Sequence, residues 1–129
     1  MAKEESELKD FRDLQVWAKA HALALDVYRA TGTFPKEELY GLTSQMRRYS
    51  VSIPSNIADG CGRRGNGEFH KFLQISTGSA SELEYQPMLA RDLGLLSPES
   101  AQHLTSNVQD VKKMLAGLIK RIDAERSRP

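Results

Sequence analysis

Residues that could perform chemistry are few in this sequence, and they are widely spaced. Three histidines, His21, His70 and His103, fall in different segments, and Cys61 is the single cysteine. A di-iron centre in a helical protein needs Glu-x-x-His pairs, because ligands three residues apart share one helix face. The chain contains no such pair. We therefore predict no metal site, no cofactor, no catalytic residue and no small-molecule substrate.

Nucleophile and phosphate-loop motifs are also missing. Residues 78–81 read Gly-Ser-Ala-Ser, which is not the Gly-x-Ser-x-Gly of a nucleophile elbow. The glycine-rich run 62–67 has neither a preceding strand nor the Lys-Ser/Thr of a phosphate loop. One alternative is that Arg64 and His70 resemble the Arg-x(4–6)-His motif of helical RNases with the HEPN fold. In such a site Arg stabilises the developing phosphorane charge and His transfers protons.

Basic side chains are better grouped than the candidate nucleophiles. In the last predicted helix, Lys113 and Lys120 lie seven residues apart and opposite the apolar seam, with other cations on either side. Further basic pairs lie on the outside of the second helix and in the loop after it. The eight residues that we predict to contact nucleic acid are Arg47, Arg48, Arg63, Arg64, Lys112, Lys113, Lys120 and Arg121.

The overall charge limits this interpretation. The chain has 18 Lys and Arg against 17 Asp and Glu, a net charge of +1, which argues against a histone-like protein that is cationic throughout. Acidic residues are concentrated elsewhere, since residues 73–98 hold Glu82, Glu84 and Asp92 against Arg91 alone. A polarised bundle that is repeated around an oligomer would still multiply each basic cluster into a phosphate-binding surface.

The elements that must position these side chains all read as helices. Residues 13–31 contain neither Pro nor Gly and carry two apolar stripes, whereas a surface helix of a monomer usually shows one. One stripe runs from Leu14 through Trp17 to Tyr28. The other stripe, which we predict to face a neighbouring subunit with deep burial as the alternative, consists of Val16, Ala20, Leu23 and Val27.

Three more helices follow, and glycines separate them. The second helix ends at Gly60, the third spans about residues 67–93, and Ser97-Pro98 starts the fourth. Each of them has an apolar stripe at helical spacing. Pro54 and Pro87 lie inside the second and third helices, and they predict a kink in each.

These elements define one domain. An all-α, antiparallel, up-down four-helix bundle is predicted over residues 13–123, with flexible tails at 1–12 and 124–129. No apolar run approaches the ~20 residues that cross a bilayer. The beginning of the chain is polar and unlike a signal peptide, and a single cysteine forms no intrachain disulfide. We therefore expect a cytoplasmic protein with no membrane partner.

The run Ser50–Gly60 resembles the signature of four-helix-bundle proteins that are encoded within intervening sequences of bacterial 23S rRNA genes; it reads SVSIPSNIADG. Matching segments extend over about residues 11–122, and the departures are small. They are Asp59 where the family usually has Glu, Cys61 for a larger or aromatic residue, and Pro87 for Leu. The resemblance implies an antiparallel bundle that forms homopentamers. A related branch, the accessory variability protein of diversity-generating retroelements, is a basic barrel that binds a reverse transcriptase and nucleic acid.

The signature reads as an architectural device rather than as a ligand site. Pro54 frees the backbone carbonyl of Ser50, and polar side chains nearby can bond to the disturbed backbone. No catalytic residues are known for the family, so the resemblance transfers none. The residues to which we assign this structural role are Ser52, Pro54, Asn56 and Gly60.

The predicted function follows from these surfaces. We expect a non-enzymatic, oligomeric protein that binds RNA, a ribonucleoprotein or a nucleic-acid-processing partner through its basic clusters. The residues alone predict self-association, because the first helix carries more apolar surface than one copy can bury. The pentamer is implied by the resemblance only. An adaptor that binds protein without nucleic acid is the first alternative, and an RNase that uses Arg64 and His70 is the second.

Overall fold

Four long helices form the fold. The computed structural model describes residues 10–127, and among them there is no β-strand. Short turns of 3-10 helix, Phe11–Asp13 and Lys36–Glu38, and a π-helical turn, Leu39–Thr43, precede the first two long helices. The all-α class and the four-helix bundle predicted from the sequence are confirmed. The long helices are α1 (Gln15–Thr31), α2 (Ser44–Cys61), α3 (Asn66–Asp92) and α4 (Pro98–Arg126).

The helices pack in sequence order around one core. α1 contacts α2, α2 contacts α3, α3 contacts α4, and α4 returns to α1. His70, early in α3, meets Asp123 late in α4, whereas Glu84, late in α3, meets Lys112 earlier in α4. Residue numbers thus rise along one helix as they fall along the other, so α3 and α4 are antiparallel.

Three of the helices bury the stripes that their periodicity predicts. Full burial of a large aliphatic side chain contributes about 1.5–3 kcal/mol relative to leaving it in water. The core is therefore the main source of stability. The fully buried apolar residues of α2, α3 and α4 include Met46, Ile53, Ile57, Leu73, Leu83, Val108, Val111 and Leu115.

The stripe of α1 that we predicted to face another subunit lies inside the bundle instead. Val16, Ala20, Leu23 and Val27 are between 0% and 4% exposed in the single chain, and they pack in the core. A side chain that is already buried has no surface left to bury against a partner. The prediction of a subunit interface at these four residues was therefore wrong, and the partly exposed stripe of α1 is the aromatic one.

Regular structure extends further at both ends than the sequence predicts. The carboxylate of Asp10 caps the turn Phe11–Asp13, and the ring of Phe11 lies 4.9 Å from that of Trp17. At the other end, α4 continues to Arg126. The predicted tails, 1–12 and 124–129, are therefore wrong for residues 10–12 and 124–126. Residues 1–9 and 128–129 lie outside the described residues.

The helix boundaries follow local chemistry. α4 begins as predicted, with Oγ of Ser97 accepting the backbone N–H of Ser100 at 3.1 Å. α3 begins after Gly65, whose φ of 80° lies in the region that favours glycine. Pro54 and Pro87 lie inside continuous helices, and the kink that each predicts stays a prediction.

Polar side chains of the signature run line the contact between α2 and α3. Nδ2 of Asn56 donates to the backbone oxygen of Ser52 at 2.9 Å, and Oγ of Ser52 lies 2.8 Å from Oγ of Ser79. Ser76, which is fully buried, donates its hydroxyl to the backbone oxygen of Ile53 at 2.9 Å. These bonds satisfy polar groups where the two helices meet, as buried polar groups require. They support the structural role predicted for the run.

Gly60 ends the same contact. It is buried, and a Cβ atom added to it would lie 2.6 Å from Cβ of Phe72 and 3.0 Å from Cδ1 of Phe69. Only glycine permits this approach of the two helices without a shift in the backbone or the rings.

Candidate nucleic-acid interface and apolar groove

Arg47 is held inside the fold, although its place in the sequence predicts a contact with nucleic acid. Its Nε donates to Oγ1 of Thr31 at 2.8 Å, and its Nη2 donates to the backbone oxygen of Tyr28 at 3.3 Å. The guanidinium also lies 4.5 Å from the centre of the Tyr28 ring. Arg47 thus joins α2 to the C-terminal end of α1, where the backbone oxygen of Tyr28 also accepts from the N–H of Gly32 and the hydroxyl of Thr31. The bonds that Arg47 donates use two of the five N–H groups of the guanidinium and hold it against the fold.

Arg63 and Lys112 are also engaged within the chain. Nε of Arg63 lies 3.2 Å from Oδ1 of Asp59, and its guanidinium lies 4.9 Å from the centre of the Phe72 ring. Nζ of Lys112 lies 2.9 Å from Oε1 of Glu84 and links α4 to α3. A carboxylate close to each cation reduces its attraction for phosphate.

The pair of Lys112 and Glu84 makes stability depend on pH. Hydrogen bonds from Lys112 and then from Gln109 lower the pKa of Glu84. A carboxylate of this kind stabilises the fold above its unfolded-state pKa, and the stabilisation is lost as pH falls through the lower folded-state pKa. We expect Glu84→Gln to be less stable than wild type near pH 7 and to approach it toward about pH 3. Chemical denaturation across this range measures the difference, and a gap that is independent of pH would contradict the assignment.

Six of the eight predicted cations are exposed, and five of them remain candidates once Arg63, which pairs with Asp59, is set aside. None of the five forms an ion pair or a side-chain hydrogen bond with another residue in the part of the chain that the structure describes. Three of them, Lys113, Lys120 and Arg121, lie on α4, and we call them the α4 cation stripe. Lys113 and Lys120 are two turns apart, which is about 10 Å along the helix. The other two are Arg48 on α2 and Arg64 in the loop before α3.

Arg64 lies at the same end of the bundle as the last residues of the α4 cation stripe. Two residues after it, Nδ2 of Asn66 donates to Oε1 of Glu125 at 3.1 Å. This bond joins the loop between α2 and α3 to the C-terminal end of α4. Arg48 lies near the start of α2, at the other end of the bundle.

The structure pairs His70 with Asp123 rather than with Arg64, its partner in the RNase alternative. Nδ1 of His70 lies 2.7 Å from Oδ1 of Asp123, and Nη1 of Arg126 lies 3.4 Å from the same oxygen. Within residues 10–127, no hydrogen bond or ring contact joins Arg64 to His70. The geometry therefore gives this alternative no support.

Three other functional features are absent or inert in the described part of the chain. No group of three or more His, Cys, Asp or Glu side chains within it is placed to hold a metal ion. None of its helices is both long enough and apolar enough to span a bilayer. Cys61 is buried, and desolvation raises the pKa of its thiol, which disfavours the reactive thiolate.

An apolar groove of about 470 Å³ runs between α1 and α2. Trp17 lies in its α1 wall, and its ring is stacked on that of His21 with 5.0 Å between the ring centres. The sequence identified the residues of this stripe. It predicted, however, that the other stripe of α1 would face a partner, and that other stripe is the buried one. Among the side chains that line the groove are Trp17, His21, Leu25, Tyr28, Val51 and Pro54.

The residue types of the two stripes distinguish the buried stripe from the partly exposed one. The buried stripe contains small aliphatic residues, whereas the groove stripe contains rings with polar atoms, which suit half-exposed positions and interfaces. Leu25 and Tyr28 are 43% and 44% exposed. A contiguous apolar surface of this kind is typical of an interaction site.

The chain belongs to the 23S rRNA-intervening sequence protein family, whose pattern matches residues 12–117. A crystal structure of a protein with unknown function from the S23 ribosomal protein family of Bacteroides thetaiotaomicron has a similar fold, with a TM-score of 0.75. The two sequences are 21% identical over 81% of this chain and 95% of that chain, so the likeness shows the fold alone. No curated protein matches the sequence. Neither description names a catalytic activity.

Proposed function

We propose that the chain is a non-catalytic, self-associating bundle that binds RNA, alone or in a ribonucleoprotein, through the α4 cation stripe. The observation that carries this proposal is the exposure of Lys113, Lys120 and Arg121 with no acidic partner among residues 10–127. Arg64 extends the basic surface at the C-terminal end of α4. The family description, which names 23S rRNA, is consistent with an RNA partner.

Phosphate binding suits these side chains for a physical reason. A cation that has no carboxylate beside it can replace a counterion on the RNA backbone, and release of that counterion favours binding. Three such cations on one chain provide weak attraction, because the net charge of the whole chain is only +1. A self-associating protein repeats the α4 cation stripe in every subunit, which raises the affinity for one RNA molecule through multivalency.

Self-association is supported by the apolar groove. Its walls include aromatic and aliphatic side chains that stay partly exposed in the single chain, among them Leu25, Tyr28 and Val51. Monomeric proteins rarely leave large contiguous apolar patches in water. The pentamer implied by the family resemblance is part of this proposal.

The adaptor alternative also has an observation in its favour. The apolar groove is a concave surface between α1 and α2, and it is lined by apolar side chains rather than cations. A protein segment that occupied it would need no nucleic acid. Binding to a partner that survives nuclease treatment, together with no affinity for RNA, would favour this alternative.

The test of RNA binding is a comparison of two double charge reversals. Lys113→Glu with Lys120→Glu removes most of the α4 cation stripe, whereas Lys36→Glu with Lys71→Glu makes the same change in net charge on other surfaces. We expect wild type and the second variant to bind a structured RNA with an affinity that falls steeply with salt. The first variant should bind at least about tenfold more weakly, with a salt slope smaller by about two.

The measurement is fluorescence anisotropy of a labelled RNA hairpin at several salt concentrations. Circular dichroism checks that both variants keep the wild-type helix content. Equal affinities for the two variants, or binding that does not depend on salt, would overturn the proposed interface.

A further inference from the structure

The exposed large apolar side chains of the described residues form two groups on different faces of the bundle. There are nine of them in residues 10–127, and none lies on α4. Five belong to the side of the apolar groove: Leu25, Tyr28, Leu39, Tyr40 and Val51. The other four lie on α3 and at its end, and we call them the α3 ridge: Ile75, Tyr85, Met88 and Leu93.

The two groups share a height near the start of α2. The bond between Ser52 and Ser79 fixes the register of α2 against α3. Gly60 meets Phe72 whereas Ser52 meets Ser79, so α2 and α3 are antiparallel. Four residues from each serine, in opposite directions, Arg48 is level with Leu83, and Tyr85 of the α3 ridge therefore lies close to the height of Arg48, near the start of α2. There Tyr28 and Arg48 line one continuous recess that also includes the exposed Tyr40.

One unpaired charge beside each group is opposite in sign to one beside the other. Arg48 borders the groove side, and Glu82 lies beside the α3 ridge, one turn from Tyr85. Both side chains are exposed, and neither has an ion pair or a side-chain hydrogen bond within residues 10–127. They are also within one residue of the same height, by the register that Ser52 and Ser79 set. Opposite charges at equal height attract when the two faces meet in separate molecules.

A contact between two grooves would leave the α3 ridge in water and would bring Arg48 of one copy toward Arg48 of the other. A head-to-tail contact avoids both costs, because it covers both apolar groups and pairs opposite charges. Rotation about an axis parallel to the bundle brings equal heights together, and repetition of such a contact closes a ring. The ring leaves α4, which carries no exposed large apolar side chain, free of the contact.

We infer that the apolar groove of one copy receives the α3 ridge of the next copy, with Arg48 facing the partner's Glu82. This inference rests on the self-association in the proposed function, and it names the two surfaces that meet. It makes each subunit directional, with a receiving face on α1 and α2 and an inserting face on α3. The α4 cation stripe stays exposed on every subunit.

Two single variants and their mixture test the inference. Leu25→Asp places a charge in the groove, and Tyr85→Asp places one on the α3 ridge; both positions are about half exposed, at 43% and 55%, so the fold should tolerate them. We expect each variant alone to sediment as a single 14.4 kDa chain while wild type forms a larger particle. An equimolar mixture should form a dimer and nothing larger, because one intact groove and one intact ridge remain. Ala116 is exposed on α4, away from both proposed faces, so Ala116→Asp should assemble like wild type.

The outcomes distinguish the proposed head-to-tail contact from self-association in general. If Tyr85→Asp assembles like wild type, the groove contacts something other than the ridge, and the inference is overturned. If the two variants stay single chains when mixed, the head-to-tail contact is also excluded. A wild-type protein that sediments as one chain at micromolar concentration would contradict self-association itself. RNA binding is tested independently, by the anisotropy measurement. Circular dichroism on each variant shows whether it has folded.

A charge exchange provides a second, milder readout. Arg48→Glu and Glu82→Arg should each weaken assembly severalfold, and the double variant should recover most of it, because the pair is restored between neighbouring copies. If the double variant is weaker than either single variant, the proposed pairing is wrong. Neither residue makes a bond within the described chain that its replacement would break.

Discussion

Gly60→Ala is expected to lower the free energy of unfolding by about 1–3 kcal/mol, the range found for overpacking in a close-packed core. The added Cβ would lie 2.6 Å from Cβ of Phe72 and 3.0 Å from Cδ1 of Phe69. The first of these atoms is attached directly to the backbone of α3, so a side-chain rotation cannot remove the overlap. α2 and α3 must separate, and the hydroxyl bond between Ser52 and Ser79 lies on the same contact.

Gly78→Ala is the matched control for this substitution. Gly78 also lies inside a helix, but nothing lies within 4 Å of the position of an added Cβ. Alanine is favoured over glycine by about 0.5–1 kcal/mol at such a position. Urea denaturation should therefore show opposite changes for the two variants. A Gly60→Ala protein as stable as the Gly78→Ala protein would mean that the close approach of α2 and α3 is not needed.

Arg47→Met is expected to cost about 1.5–3 kcal/mol of stability, because hydrogen bonds from a charged donor to partly buried acceptors are lost. The substitution keeps an apolar stem of similar length but removes the donor to Oγ1 of Thr31 and one donor to the backbone oxygen of Tyr28, which keeps its bonds from Gly32 and Thr31. It also removes the guanidinium that lies over the Tyr28 ring. The effect is one of folding and should be seen without any ligand.

Arg48→Met is the comparison, since it removes the same charge from the next residue. Arg48 is exposed and has no side-chain bond within residues 10–127, so its replacement should change the unfolding free energy of the separate, unassembled chain by less than about 0.5 kcal/mol. Thermal and chemical denaturation of the two variants would distinguish a structural arginine from a surface one. Equal, small changes in unfolding free energy at both positions would show that Arg47 does not stabilise the contact between α1 and α2.

Much of the fold could be predicted because helical periodicity records which residues face inward. In α4, Val108, Val111 and Leu115 follow the spacing of a core stripe, and all three are fully buried. The rule is less informative for α1, where two stripes are apolar and periodicity does not say which one is inside. There the smaller stripe, with Ala20 and Val27, packs in the core, and the aromatic one lines the groove.

The candidate interface could be predicted only in part, because ion pairs depend on contacts between distant segments. Arg47 bonds to Thr31, 16 residues away, and Lys112 to Glu84, 28 residues away. Local patterns of charge in the sequence do not reveal contacts between residues that are this far apart along the chain. Lys113, next to Lys112 in sequence, points to a different side of α4 and stays exposed. Five of the eight predicted cations therefore survive as candidates, and which five they are is a result of helix packing.

The stacked rings in the groove have a practical consequence. The chain contains one tryptophan, and Trp17 lies between Phe11 and His21 in the wall where a second copy is proposed to bind. The tryptophan fluorescence of the chain comes from this one side chain. A shift of its emission wavelength on dilution would therefore report whether this wall of the groove is exposed to solvent or covered by a second copy. The molecule thus carries its own optical probe of assembly, which needs no label and no substitution.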